Sequence, residues 1–412
     1  MSDTDGGASA HDLDGAGKRP VVRLKPKANA RAIRHGSPWV FENELVTDRR
    51  TRALEPGTLA ILEDAGREAL GLVAVNMNSR ISCRMIDRDP AAEVDQAWFA
   101  HRVAFALAMR EKIYDAPFYR LIHAEADGLP GVIVDRFGDT LVVQPNAAWA
   151  DVLSDTLTQA LMQVTSCTTV LKNAAGRTRG LEGLDNENGV LAGTAPGAPV
   201  HVPMNGAIYM ADLIGGQKTG LFYDQRPNHA FAAGLASGAR VLDVFSHVGG
   251  FGLAALAGDA SSVLAVDGST PALDLARGGA QAMGVSDRFE TRAGDAFDVM
   301  TELGEAGTKY DLVICDPPAF APSKQAMDAG LRAYERVARL AASLVDAGGY
   351  MVLCSCSHAV DLQAFRQASA RGIGRAGRKA QMIHTGFAGP DHPQLPQLAE
   401  TGYLKAVFYR LD

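Results

Sequence analysis

The chain has 412 residues, 47% hydrophobic and 21% charged, and carries a net charge of −7. That length supports two or three domains, each with its own core. No apolar run approaches the roughly eighteen residues of a membrane span and no signal-peptide pattern opens the chain, so a soluble cytoplasmic protein with no membrane partner is expected. The acidic total argues weakly against nucleic acid as partner, because phosphate binding is mostly electrostatic. The distribution is uneven, however: residues 18–52 hold ten Lys and Arg against three acids. The five cysteines (83, 167, 315, 354 and 356) fit neither a disulfide framework nor a zinc pattern. Reduced thiols and no metal centre are expected.

Residues 1–19 are rich in Gly, Ala, Asp and Ser without periodicity, which predicts a disordered N-terminus. From 20 to 92, short strand-like runs (VVRLK, WVFENEL, TLAILED, ALGLVAVN, ISCRMI) are separated by Pro, Gly and Asn, the pattern of a small β-rich barrel. The stretch RLKPKANARAIRHGSPWVFENEL resembles the opening of a PUA domain, a small RNA-binding module. Its basic residues, Arg23, Lys25 and Arg34 among them, then become candidate RNA contacts. A solvated basic arm is the alternative, and the interleaved Trp39 and Phe41 favour the RNA-facing surface.

Residues 93–202 read as a central α+β domain. Asp95–Tyr114 is an amphipathic helix, and ADGLPGVIVDRFGDTLVVQ is a hairpin-like pair with Asp135 to Asp139 as its turn. A second helix covers Ala150–Val164, and strands follow around 168–172 and 189–191. Glu125, Asp127 and Arg136 are read as structural turn residues rather than substrate contacts.

The third region, 203–412, is organised around Arg240–Gly252, RVLDVFSHVGGFG. A short apolar strand ends in an acid, Asp243, runs through a loop containing Ser246, Gly249 and Gly250, and enters an alanine-rich helix. This is the first crevice of a doubly wound α/β sheet, where a ligand can approach the backbone. SVLAVDGS ends in Asp267, 24 positions after Asp243, where an acid can accept from ribose hydroxyls. AGDAFD offers Asp295, followed by Ala296, to an exocyclic amine, and YDLVICDPPAF ends in Asp316-Pro317-Pro318. The first glycine of the dinucleotide fingerprint is missing, and Asp243 would repel a pyrophosphate but suits an ammonium. The order ammonium, ribose, adenine resembles the class I S-adenosylmethionine (SAM)-dependent methyltransferases, which implies a Rossmann-like seven-stranded sheet. QMIHTGFA and GYLKAVFYRL, following the helix DLQAFRQA, would supply its last two strands, one of them antiparallel. Arg366, Arg371, Arg375, Arg378 and Lys379 form a second basic cluster, either a solvated helix face or a substrate-phosphate contact.

GGQKTGLFYDQR (215–226), SHVGGF, DPPAF and SCS together resemble the PUA-containing RNA cytosine-5 methyltransferases that act on bacterial large-subunit rRNA. The resemblance covers nearly the whole chain from about Arg23, and it implies an rRNA substrate. It also assigns Lys218, Thr219 and Arg226 to the methionine end of SAM. His247 and Ala319 depart from the family pattern, where an aromatic and a basic residue are commoner. The chemistry points to the same residues. Carbon-5 of cytosine attacks a sulfonium methyl only after a thiolate adds at carbon-6 and a proton reaches nitrogen-3. YMVLCSCSH is an apolar strand ending in Cys356, the expected nucleophile, and Asp316 is its expected partner at nitrogen-3. His358 or a water molecule would take the carbon-5 proton. Pro317 and Pro318 force an extended exit, and Phe320 could stack on a flipped base or belong to the core. Two rivals remain: an exocyclic-amine methyltransferase, and an RNA-binding protein with a vestigial core. The oligomeric state stays open, a homodimer among the options.

Overall fold

The structure, a computed structural model, describes residues 19–216, 220–398 and 401–412. The disorder expected at the N-terminus therefore falls, apart from Arg19, outside the described residues. The chain divides between Ala92 and Glu93 into two compact units.

The first unit is a five-stranded sheet of β1 (Val21–Arg23), β2 (Trp39–Phe41), β3 (Thr58–Glu63), β4 (Ala69–Val75) and β5 (Ile81–Asp87), in the order β1-β3-β4-β5-β2. Its two edges meet. Leu24 bridges Leu45, the Lys25 N–H donates to the Glu44 carbonyl at 2.8 Å, and the Val46 N–H donates to the Arg23 carbonyl at 2.8 Å. Pairing across the edges curls the sheet toward a barrel and removes its open edges. Val22, Leu24, Val40, Leu45, Leu62 and Val73 fill its core. WVFENEL is not one strand: the Glu44 carboxylate reaches back to the Phe41 N–H at 2.9 Å, which turns Glu42–Glu44 into a 3-10 turn.

The second unit opens with the helix Gln96–Ile113, capped by Asp95, whose carboxylate accepts the Trp98 N–H at 2.8 Å. The helix packs on a sheet of β6 (Phe118–His123), β7 (Val132–Phe137), β8 (Thr140–Pro145), β9 (Thr169–Lys172) and β10 (Gly189–Ala192). The predicted turn from Asp135 to Asp139 is shorter in the structure, Gly138-Asp139. Asp135 instead lies within β7, fully buried, and pairs with Arg120 through two contacts of 2.9 Å. The predicted helix over 150–164 is broken at Leu153 into Ala148–Val152 and Ser154–Thr165.

Arg110 is wholly buried in a bidentate pair with Asp127, 2.7 Å at each contact, and its guanidinium also donates to the Asp391 carbonyl at 3.0 Å. Asp127 is thus a structural partner, as is Arg136, whose guanidinium bonds the carbonyls of Gly138 and Thr165 and the Tyr119 hydroxyl. Removing one partner of such a pair strands a buried charge. Arg110→Met should cost about 3–5 kcal/mol in urea denaturation, and a cost below about 1 kcal/mol would show that Asp127 is solvated.

A hairpin of β11 (Val200–Met204) and β12 (Ala207–Ala211) turns at Asn205-Gly206, both at positive φ (54° and 75°) as a two-residue hairpin requires. The main sheet follows: β13 (Arg240–Val244), β14 (Ser262–Asp267), β15 (Phe289–Ala293), β16 (Tyr310–Cys315), β17 (Val345–Ser355), β18 (Ala380–Gly386) and β19 (Lys405–Leu411). Its order is β15-β14-β13-β16-β17-β19-β18, with only β19 antiparallel to its neighbours. Both faces are covered, so the central strands are apolar on both sides. Val241, Leu312, Ile314, Val352 and Cys354 face one core, with Leu253 and Ala276. Leu242, Val244, Val313, Cys315 and Leu353 face the other, with Val337 and Phe365. Strand order reverses between β13 and β16, which opens a crevice at their carboxyl ends.

Candidate active site

The loop after β13 occupies that crevice in a strained form. Phe245 and His247, neither of them glycine, stand at φ 62° and 49°, beside Gly249 at 81°. The helix Gly250–Ala257 starts here, and its Gly252 N–H donates to Asp243 Oδ2 at 2.8 Å. A side chain at Gly252 would meet Val263 at 2.9 Å and that same oxygen at 3.2 Å, so glycine allows the approach.

Asp243 is 1% exposed, and its other oxygen, Oδ1, has no partner. Burial pushes its carboxyl up to about 8, partly offset by the Gly252 N–H and reinforced by Asp316 and Asp267. The Ser246 hydroxyl is likewise buried without a partner. Both residues line a cavity of about 40 Å³ with Leu221, Gln225, His229 and Asp316. Among the described residues, three of the buried polar atoms without a partner belong to residues that line this cavity, His229 Nδ1, Asp243 Oδ1 and Ser246 Oγ, and others lie on Asp224, Arg226 and Asn228 nearby in sequence. Such clustering marks a place where a ligand completes the hydrogen bonding. A cationic group placed at Oδ1 would favour the ionised form of this carboxyl against the burial that now raises it.

The other candidate cofactor residues divide. Asp267 ends β14 and accepts the N–H groups of His247 and Ser269, each at 2.8 Å, so it shapes the loop. Asp295 caps the helix Ala296–Glu305 by accepting from Phe297 at 2.9 Å and Asp298 at 3.2 Å, and Ala296 is buried behind it. Gly250 lines the cavity and Gly249 sets the turn. Arg226 points elsewhere: its guanidinium lies 4.2 Å from the Tyr114 ring and donates to the Phe118 carbonyl at 2.7 Å. Lys218 and Thr219 lie outside the described residues.

Asp316 follows β16, and its Oδ2 accepts from Gln225 Nε2 at 3.0 Å. Gln225 is buried and in turn accepts from Asn228 at 2.6 Å. One strand over, β17 ends at Ser355, so Cys356 has left the strand. Cys83, Cys167, Cys315 and Cys354 are buried, whereas Cys356 is partly exposed. Burial also pushes the Cys315 and Cys354 thiols upward. The serines on either side of Cys356 fix it. Ser357 accepts the Ala321 N–H at 3.0 Å and meets the Tyr334 hydroxyl at 2.8 Å, and Ser355 bonds the same hydroxyl at 2.9 Å. The turn bearing Cys356 is thereby tied to the loop that follows Asp316-Pro317-Pro318. Tyr334 lies outside every motif read in the sequence, whereas Gln225 and Ser357 lie within GGQKTGLFYDQR and SCS but are given no role of their own there.

Pro317 is buried and Pro318 exposed. Phe320 sits among aromatic rings, with centroids 5.0 Å from Tyr334, 6.1 Å from Phe297 and 6.3 Å from Phe245. It is half-buried and packs against the core on that side of the sheet. His358 is exposed, its ring 5.5 Å from that of Tyr403.

The three basic candidates of the first unit are engaged within it. Arg23 pairs with Glu63 at 2.8 Å, Arg34 with Asp64 and Glu68, and Lys25 donates to the Asn43 carbonyl at 2.9 Å. The four arginines of the second basic cluster are also engaged: Arg371 and Arg375 pair with Glu335, Arg366 bonds Thr385, and Arg378 bonds Asp412. No helix among the described residues is long and apolar enough to cross a membrane.

Known proteins resemble this chain along most of its length. The family described as S-adenosylmethionine-dependent methyltransferase matches residues 138–410, and a PUA-like domain matches residues 22–88. The ribosomal RNA large subunit methyltransferase I of Photobacterium profundum is 34% identical over 383 residues, 92% of this chain and 96% of that protein. The ribosomal RNA large subunit methyltransferase of Deinococcus radiodurans is 34% identical over 410 residues, 96% of this chain and 99% of that one. A solved structure from Streptococcus mutans, described as a SAM-dependent methyltransferase, superposes with a TM-score of 0.80 at 18% identity, over 95% of this chain and 100% of that one. A similar structure, complexed with S-adenosylhomocysteine, gives 0.80 at 19% identity. At those identities the superpositions speak for the fold.

Proposed function

This chain belongs to the S-adenosylmethionine-dependent methyltransferase family, and we propose that it methylates carbon-5 of a cytidine in large-subunit ribosomal RNA through a covalent bond to Cys356. The substrate class rests on the names of its relatives and on the PUA-like domain. The observation that carries the reaction type is Cys356 itself, the one partly exposed thiol of five, tied by Ser357 to the loop after Asp316.

Bound SAM supplies the methyl group as a sulfonium electrophile. Asp243 Oδ1 and Ser246 Oγ would hold its amino-acid end, Asp267 its ribose and Asp295 its adenine amine. The Cys356 thiolate adds to carbon-6 of the base, and the Asp316 carboxyl delivers a proton to nitrogen-3, so carbon-5 acquires enamine character. Once carbon-5 is methylated, its proton leaves to a base, His358 or water. Nitrogen-3 then returns its proton, and the thiolate is expelled as the carbon-5–carbon-6 double bond re-forms. The basic surface of the first unit would hold the RNA backbone, an attraction that falls steeply with salt.

Digestion of large-subunit rRNA after incubation with the enzyme and SAM tests the reading. We expect 5-methylcytidine in the nucleoside chromatogram. Methylation confined to an exocyclic amine would overturn the covalent route, and failure to bind SAM would favour the vestigial core.

A further inference from the structure

Lys405 opens β19 and stands opposite Ser355 in the antiparallel pairing with β17. Its side chain is drawn inward, leaving the residue 5% exposed. Nζ donates to the carbonyls of Ser357 and Val360, each at 2.8 Å. Both carbonyls belong to the turn that carries Cys356 away from the strand. Among the described residues no carboxylate lies within ion-pair distance of this ammonium. An ammonium is rarely buried without such a partner, and a site that keeps one has a use for positive charge.

We propose that Lys405 is a positioning residue for methyl transfer, acting through Cys356: its ammonium braces the 356–360 turn by two carbonyls and stabilises the thiolate that attacks the base. The proposal rests on the reading of Cys356 as nucleophile. Carbonyl oxygens orient the ammonium without neutralising it; Asp361 supplies one anion beyond ion-pair distance, and the thiol of Cys356, next in the chain to Ser357, can supply another. Burial lowers Lys405 to about 8, and Cys356 and then Asp361 pull it upward. The lysine is therefore mostly protonated at neutral pH, and thiolate formation reinforces its charge.

Other titratable groups stand around the lysine and this turn. Asp361, the cap of the helix Leu362–Arg375, has the opposite sign to the lysine and pulls it upward. Asp316, beyond β16, raises the adjacent thiol of Cys354. Tyr334, from the helix Met327–Leu344, and Tyr403, before β19, are both raised by burial and stay neutral near pH 7. His358 in the same turn is exposed to solvent. Lys405 is thus the buried cation of the group.

The test is the pH dependence of iodoacetamide alkylation at Cys356, followed by mass spectrometry in the full-length wild type, Lys405→Met, Lys405→Arg and His358→Gln. Lys405→Met should raise the alkylation midpoint by about one pH unit, slowing the reaction about tenfold at neutral pH while leaving the alkaline plateau intact. Lys405→Arg should keep the low midpoint, and His358→Gln should not move it. Methyl transfer in Lys405→Met should fall by a similar factor and recover at alkaline pH. An unchanged midpoint in a folded Lys405→Met protein would overturn the proposal, even if activity were lost, because a bare turn brace does not shift a titration. If Lys405→Met does not fold, the wild-type curve decides: a midpoint at or above the ordinary thiol value of about 8.5 overturns the proposal. Unimpaired methylation by Cys356→Ala would remove the underlying reading instead, a result separable from any alkylation curve.

Discussion

Cys356→Ala should lose methyl transfer by at least about 10⁴-fold, the scale on which removing a covalent nucleophile acts, while S-adenosylmethionine still binds. The reason is chemical. Carbon-5 of an unactivated cytosine does not attack a methyl sulfonium, and among the cysteines Cys356 alone is partly exposed at the strand end. Cys354 lies two residues earlier and shares a face with Cys356 only if the strand continues. It does not: β17 ends at Ser355, and Ser357 draws the chain toward Ala321. The Cys354 thiol also stays protonated, because burial raises it. Cys354→Ala and Cys315→Ala should therefore each cost about 1 kcal/mol of stability through lost packing and leave the chemistry intact. Turnover assays and thermal melts on the three variants check this, and a dead Cys354→Ala beside an active Cys356→Ala would move the nucleophile.

Asp243→Asn should weaken SAM binding about ten- to hundred-fold, the worth of one charge-assisted hydrogen bond. A second signature is the pH dependence. The folded protein holds the Asp243 proton up to about pH 8, whereas the unfolded chain loses it near about 3.9. Between those values the native state binds the extra proton. The contribution of this group is fully present below about pH 3.9 and declines by about 1.4 kcal/mol per unit until it is gone above the folded value. SAM reverses the preference, because its ammonium selects the carboxylate: affinity should rise with pH and level off near 8. In Asp243→Asn both slopes should flatten. Calorimetry and melts across this range, with and without SAM, measure them. Wild-type affinity with an unchanged slope would take Asp243 out of the cofactor site.

The sheet was legible because its strands are apolar runs ending in acids, and strand ends are where a doubly wound sheet binds. Asp243, Asp267, Asp316 and Cys356 could be placed near one crevice on that rule alone. The rule does not say what each acid holds: Asp267 and Asp295 accept backbone N–H groups of their own loops. Buried polar partners were beyond its reach, since Ser357 meets Ala321 across 36 positions and Lys405 meets Ser357 across 48. Local charge counting leaves out the partners for a related reason. Arg23 and Arg34, read as candidate RNA contacts, also pair with Glu63 and Asp64, which are distant in sequence. Asp135 looks like a turn residue because acids favour turns. Its pairing with Arg120 lets a buried strand carry it.

Covalent trapping on RNA with 5-fluorocytidine at the target bears most directly on carbon-5 methylation through Cys356. Fluorine cannot leave as a proton, so elimination stalls after methyl transfer. The wild type should form a complex that survives denaturation, requires SAM, and yields the nucleotide cross-linked to Cys356 on peptide mapping, and Cys356→Ala should form none. No covalent complex with RNA that the wild-type enzyme methylates at the same site, or a complex that persists in Cys356→Ala, would contradict the account.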